Sequence, residues 1–97
     1  MYIKIYQIAH NEENRDKIFA HYDEIEEVDM SIYDEVWEGN VPCEDLEDVF
    51  RMFNIDIPSD FVGHSLSVSD VVEVCDSNPT TAIGKHYCDW IGFVQFE

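Results

Sequence analysis

Between Lys17 and Arg51 the chain carries no basic residue, yet it holds Asp23, Glu24, Glu26, Glu27, Asp29, Asp34, Glu35, Glu38, Glu44, Asp45, Glu47 and Asp48. Any fold must bring these carboxylates to water. A surface of one sign repels itself and costs stability, so the excess serves either solubility or a partner. Over the whole chain 22 Asp and Glu stand against 5 Lys and Arg, a formal charge of −17. Two partner classes are excluded on that ground. Affinity for nucleic acid comes from Lys and Arg displacing counterions, and anionic membrane surfaces attract the same residues. A basic protein surface remains, in particular one built to hold nucleic acid.

At 97 residues the chain fits one domain, residues 1–97, since domains cluster near ~100 to 150 residues. Hydrophobic residues at 45% and aromatics at 13% are enough for one core, so the chain is expected to fold despite its charge. The apolar run Met1 to Ile8 ends at Asn11 and then charge, too short for a membrane span and unlike a signal peptide, so a cytoplasmic location is expected. Cys43, Cys75 and Cys88 are odd in number and form no CxxC pair, which fits reduced thiols filling a core.

Residues 2–8 alternate, with Ile3 and Ile5 on one side and Tyr2, Tyr6 and Ile8 on the other, which predicts a strand near the middle of a sheet. Asn11 is placed to cap a helix with Glu12 and Glu13 in its first turn, and Ile18, Phe19, Tyr22 and Ile25 extend a helical spacing over 14–27. Ile32, Tyr33, Val36 and Trp37 predict a strand over 31–38 that ends at a Gly39-Asn40 turn. After Pro42, Leu46, Val49, Phe50 and Phe53 fall at i, i+3, i+4 and i+7, with acids early and Arg51 late, the charge order of a helix. A loop over 56–69 leads to a strand at Val71 to Cys75, and two strands follow over 84–90 and 91–97. The expected fold class is α+β, in the order β-α-β-α-β-β-β, a mostly antiparallel sheet packed by two helices.

The only serine-rich segment, Gly63-His64-Ser65-Leu66-Ser67, lacks the second glycine of a nucleophile elbow. Its serines and Asp70 read instead as loop residues that bond the backbone and start the next strand, while a small hydrolase or transferase using His64 to Asp70 is the enzymatic rival. His86 and Cys88 share a strand face, but no second ligand pair accompanies them, so no metal is expected. A Gly-rich phosphate loop and a calcium-loop pattern are both missing, and no cofactor is expected. Tyr33, Trp37 and Trp90 are candidate interface anchors; Trp90 reads as core, whereas Trp37 lies between the wet residues Glu35 and Glu38.

Met1 through Ile8, Arg15-Asp16 with Phe19 and Tyr22-Asp23, Tyr33 through Gly39, and Leu46 through Phe50 resemble the YodL-like domain. So do Asn54-Ile55, Pro58, Asp60-Phe61, the stretch Gly63 to Val72, Tyr87-Cys88-Asp89 and Ile91-Gly92-Phe93. The resemblance implies a module of bacterial plasmids, phages and conjugative elements that counters host defence. It brings no catalytic residues. Joined to the charge pattern, it leads to a non-enzymatic, cytoplasmic protein that mimics nucleic acid and occupies the basic groove of a CRISPR effector, restriction enzyme or similar nucleic-acid-handling protein. The partner-binding residues would be Asp23, Glu24, Glu26, Glu27, Asp34, Glu35, Trp37, Glu38, Glu44, Glu47 and Asp48, displayed side by side. A structural or adaptor module of larger proteins, and acidity for solubility alone, stay open beside it.

Overall fold

The computed structural model describes residues 1–97. Five strands, β1 (Tyr2–Ile8), β2 (Tyr33–Asn40), β3 (Val71–Val74), β4 (Gly84–Cys88) and β5 (Phe93–Gln95), form one sheet in the order β2-β1-β3-β4-β5. Every neighbouring pair is antiparallel. One helix, α1 (Leu46–Ile55), packs on one face of this sheet. The α+β class and the antiparallel sheet are those expected.

α1 forms where its stripe predicts it. The Asp45 side chain accepts from Asp48 N at 2.9 Å, and the Asp48 side chain reaches back to Glu44 N at 3.1 Å, so two otherwise unpaired donors of the first turn are met. Leu46, Val49 and Phe53 turn inward onto Ile3, Ile5, Val72 and Val74. Phe50, expected with them, is 37% exposed because it sits at the side of the stripe, over the β4–β5 turn.

Residues 14–27 do not form the expected helix. Asn11 does cap, accepting from Asn14 N at 3.1 Å, but only a single 3₁₀ turn follows at Glu12–Asn14, with others at Tyr22–Glu24 and Met30–Ile32. A helix here would end on Glu24, Glu26 and Glu27 with no base to offset them, the wrong charge for its negative end. Phe19 takes a left-handed backbone, φ +66°, which breaks helical continuity. The carbonyls freed there are met by side chains of the β4–β5 hairpin: Tyr87 Oη donates to Ala20 O at 2.7 Å and Trp90 Nε1 to Phe19 O at 3.1 Å. Asp89 accepts from Tyr22 N at 3.1 Å. The connection 9–32 thus becomes an irregular second layer on the face opposite α1, where Ile8, Tyr33 and Tyr87 point.

Strand boundaries shift most in β2, which begins at Tyr33 and runs on to Asn40, and in β4; β3 ends one residue early at Val74 and β5 shortens to Phe93–Gln95. Gly39 and Asn40 stay paired, opposite Ile3 and Tyr2, instead of turning. A Cβ at Gly39 would come within 2.7 Å of the Trp37 ring, so the glycine makes room for that indole. β4 stops at Cys88, since residues 89–92 form the turn, closed by Asp89 N donating to Gly92 O at 2.9 Å. Trp90 is therefore at the tip and 56% exposed rather than core. On β2, Val36 is an extra residue between the pairs Ile5–Trp37 and Tyr6–Glu35. Four residues apart, Tyr33 and Trp37 would otherwise share a face; the bulge turns Tyr33 to the irregular layer and Trp37 to α1. No helix is long and apolar enough to cross a membrane.

The burial pattern separates two phenylalanines of one helix. Phe53→Ala should cost ~3 to 5 kcal/mol as a fully buried truncation, and Phe50→Ala about 1 kcal/mol or less. Urea denaturation checks this, and equal losses would show that the stripe packs as the periodicity alone implied.

Candidate functional site

The irregular layer leaves a cleft of about 630 Å³ between itself and the sheet. Its floor is Ile8, Tyr33 and Tyr87, the last buried in β4. Burial, with the charge of Asp89 next, pushes the Tyr87 hydroxyl up to about 12, so it stays a donor to Ala20 O at any ordinary pH. Ile18, Phe19, Ile25 and Val28 supply apolar walls, and Phe19 is 53% exposed. Asp16, Glu24, Glu26, Glu27 and Asp29 ring the mouth with Lys17 as the one base. Glu24 is engaged by His21 N at 3.0 Å and Asp29 by the Ser31 amide and hydroxyl at 3.0 and 2.6 Å. Glu26 and Glu27 make no hydrogen bond or ion pair.

The expected partner-binding residues fall into three groups. Asp23, Glu24, Glu26 and Glu27 lie on the irregular layer. Asp34, Glu35 and Glu38 lie on β2, an edge strand where charge and a bulge also discourage pairing with another chain. Glu44, Glu47 and Asp48 lie at the start of α1, on the other face; Glu44 O accepts from the Thr80 hydroxyl and Glu47 borders the β4–β5 turn. The sheet stands between the first group and the third, so the acids span two faces and an edge instead of one continuous surface. Asp48 is structural: the Glu44 amide and then Arg51 hold its carboxyl below the usual range. Trp37 packs edge-on to Phe53, ring centroids 5.1 Å apart, and donates to Asp60 at 2.9 Å, so it belongs to the α1 layer.

Opposite the cleft, Gln7 points to the α1 face in step with Ile3 and Ile5 and is buried. Its Nε2 donates to His64 O at 2.8 Å and to Asp70 Oδ2 at 3.0 Å, while its Oε1 accepts from His64 N at 3.1 Å. Asp70 Oδ2 also accepts from Ser67 N at 2.9 Å, the side-chain to backbone bond expected of a turn aspartate. His64 Nδ1 lies 2.8 Å from Ser65 O and 3.3 Å from Gln7 Nε2, and Nε2 faces Asp70 Oδ1 at 4.0 Å. No hydrogen bond joins the hydroxyl of Ser65 or Ser67 to His64, the contact by which this histidine would activate a nucleophile. Nearby Cys88 is no substitute, since burial pushes its thiol up to about 12. Every buried polar side-chain atom has a partner, and nowhere do three His, Cys, Asp or Glu side chains gather as metal ligands would.

Phe19 and Tyr87 are the cleft residues that periodicity misassigns or leaves unplaced: Phe19 reads as part of a helical stripe and Tyr87 as an ordinary strand residue, whereas Tyr33, a candidate interface anchor in the sequence, lies in the cleft floor. Gln7 is missed as well, although a signal exists: a polar residue in phase with Ile3 and Ile5 must find buried partners.

A family model, that of the YodL-like domain, matches residues 2–97. The chain belongs to the YodL-like domain family. No curated protein and no solved structure matches it. The span of the match takes in the sheet, α1 and the cleft alike, so this YodL-like domain includes both faces described above.

Burial raises the Asp70 carboxyl from 3.8 to about 7, against the opposing pull of the Ser67 amide, His64 and Gln7. The folded protein then holds a proton that the unfolded chain has lost, so this contribution to stability is complete below the unfolded value and disappears as pH rises through about 7. Asp70→Asn keeps an acceptor for Ser67 N and removes the titration. Unfolding free energies of parent and variant, compared from about pH 4 to about pH 8, should diverge with the parent losing ground as pH rises. Parallel curves would show a carboxylate that stays charged in its site.

Proposed function

We propose that this domain is a non-enzymatic acidic binding module whose partner is a basic, nucleic-acid-handling bacterial protein, and that it acts by occupying the groove where that protein holds DNA or RNA. Carriage on a mobile element and an anti-defence role, which the resemblance implies, belong to the same proposal. One observation carries it. Of the twelve carboxylates from Asp23 to Asp48, only Asp48 forms an ion pair, with Arg51 at 2.9 Å. The other pairs, Arg15–Glu12, Lys85–Glu97 and the His64–Asp70 contact, lie outside that stretch. Lys4 is opposite Glu38 on β2 and Glu73 on β3, and Glu73 is opposite Lys85, so the sheet spends its two lysines in an alternating row. The fold leaves most of its negative charge for solvent or a cationic partner. Fixed carboxylates on a rigid scaffold present to a basic groove the sign that a phosphate backbone presents.

The test follows proteins captured from a bacterial lysate at low salt by the immobilised domain. The captured protein should carry a basic groove, leave the domain when duplex DNA is added, and bind with an affinity that falls steeply with salt, since exposed charges are screened over about 8 Å at physiological ionic strength. Glu26→Lys with Glu27→Lys should slow association, while Glu13→Lys with Asp56→Lys, an equal change of net charge elsewhere, should do so far less. All four are exposed, their side chains make no hydrogen bond, and the changes should shift stability by only ~0.5 kcal/mol each. Equal effects of the two pairs, or an affinity flat in salt and untouched by DNA, would reduce the acidity to a matter of solubility.

A further inference from the structure

The cleft over Tyr87 combines two features that an acidic solubility surface does not need: an apolar interior and a mouth of nearly one sign. We infer that it receives an apolar side chain of the basic partner, presented between lysines or arginines that meet Glu26 and Glu27. This deepens the functional reading above and rests on it. Charge complementarity selects the occupant. A second copy of this chain would bring another −17, and a nucleic acid or anionic lipid would bring the same sign to the same mouth. A segment with both apolar and cationic side chains satisfies the interior and the rim together. At about 630 Å³ the space suits one large side chain and its neighbours.

Phe19 ties the cleft to its backbone. A bulky residue at φ +66° is strained, and such strain persists only where surrounding bonds enforce it. Here Trp90 Nε1 holds the Phe19 carbonyl and Tyr87 Oη the next one. A glycine at position 19 would give the same turn without strain. The chain instead keeps an aromatic ring that is more than half exposed at the cleft, in a position to stack on an entering apolar or guanidinium group.

The experiment uses two synthetic peptides of equal positive charge, an oligolysine and a lysine peptide with a central Leu-Trp pair, titrated against the intact domain by fluorescence anisotropy at low salt. The Leu-Trp peptide should bind about tenfold or more tightly, the ratio expected for taking a large apolar side chain out of water. Phe19→Gly should keep or raise the melting temperature and abolish that advantage, and Ile25→Glu should abolish it too, with oligolysine binding unchanged in both. Two peptides of equal affinity would overturn the cleft assignment while leaving the acidic module intact. An advantage that survives both substitutions in folded protein would overturn it as well, by placing the apolar contact elsewhere. Failure of both peptides to bind would remove the cleft assignment and the acidic-module reading together.

Discussion

Side chains of the β4–β5 hairpin, the Tyr87 hydroxyl first among them, fasten the second layer of this molecule on the side that lacks a helix. Tyr87 stands in β4, opposite Val71 of β3, and its Oη reaches out of the sheet to the carbonyl of Ala20. The connection 9–32 has no ladder of its own, so its polar groups depend on such bonds: Trp90 to Phe19, Asp89 to Tyr22, Asn14 Nδ2 to Ala9 O. Without them, irregular backbone could not be laid over a buried strand surface, because unpaired N–H and C=O groups are costly away from water. The turn at Phe19, the shape of the cleft and the exposure of Trp90 all follow from where these side chains reach.

This explains which parts of the fold were legible in the sequence. α1 announced itself by agreement among levels: an apolar stripe, a capping aspartate, early acids and a late arginine all describe one helix. β1 and β3 were readable by alternation and by a valine run. Residues 14–27 carry a helical apolar spacing too, but there the charge order opposes a helix and distant side chains offer the backbone other partners. Those partners sit some 67 residues away in the chain, beyond any local pattern. The candidate site shares that fate. Its acids could be counted from the sequence, and the retained set Glu26 and Glu27 was among them, but its apolar interior exists only because the helix does not form.

The acidic residues are also less alike than their count suggests. Asp29, Asp45 and Asp48 cap turns, Asp70 and Glu24 hold backbone amides, and Asp60 and Asp76 anchor Trp37 and the amide of Tyr2. These are internal duties. The side chains of Asp23, Glu26, Glu27, Asp34 and Glu35 bond to nothing within the chain; these residues lie on the irregular layer and the β2 edge. Glu44 and Glu47 at the start of α1 are exposed and their side chains unengaged as well, so the carboxylates without internal duties lie on both faces of the sheet and along its β2 edge.

The two sides of the sheet differ in how they can come apart. α1 is held by a packed apolar core, and its loss would expose the strands' most buried face. The layer 9–32 is held by discrete bonds to side chains, and an open cleft lies between it and the sheet. Such a layer can open as a local unit at a free energy well below that of global unfolding. Its amides would then exchange with solvent sooner than those of β1 and β3, and the molecule would breathe on its acidic side while its helical side stays shut.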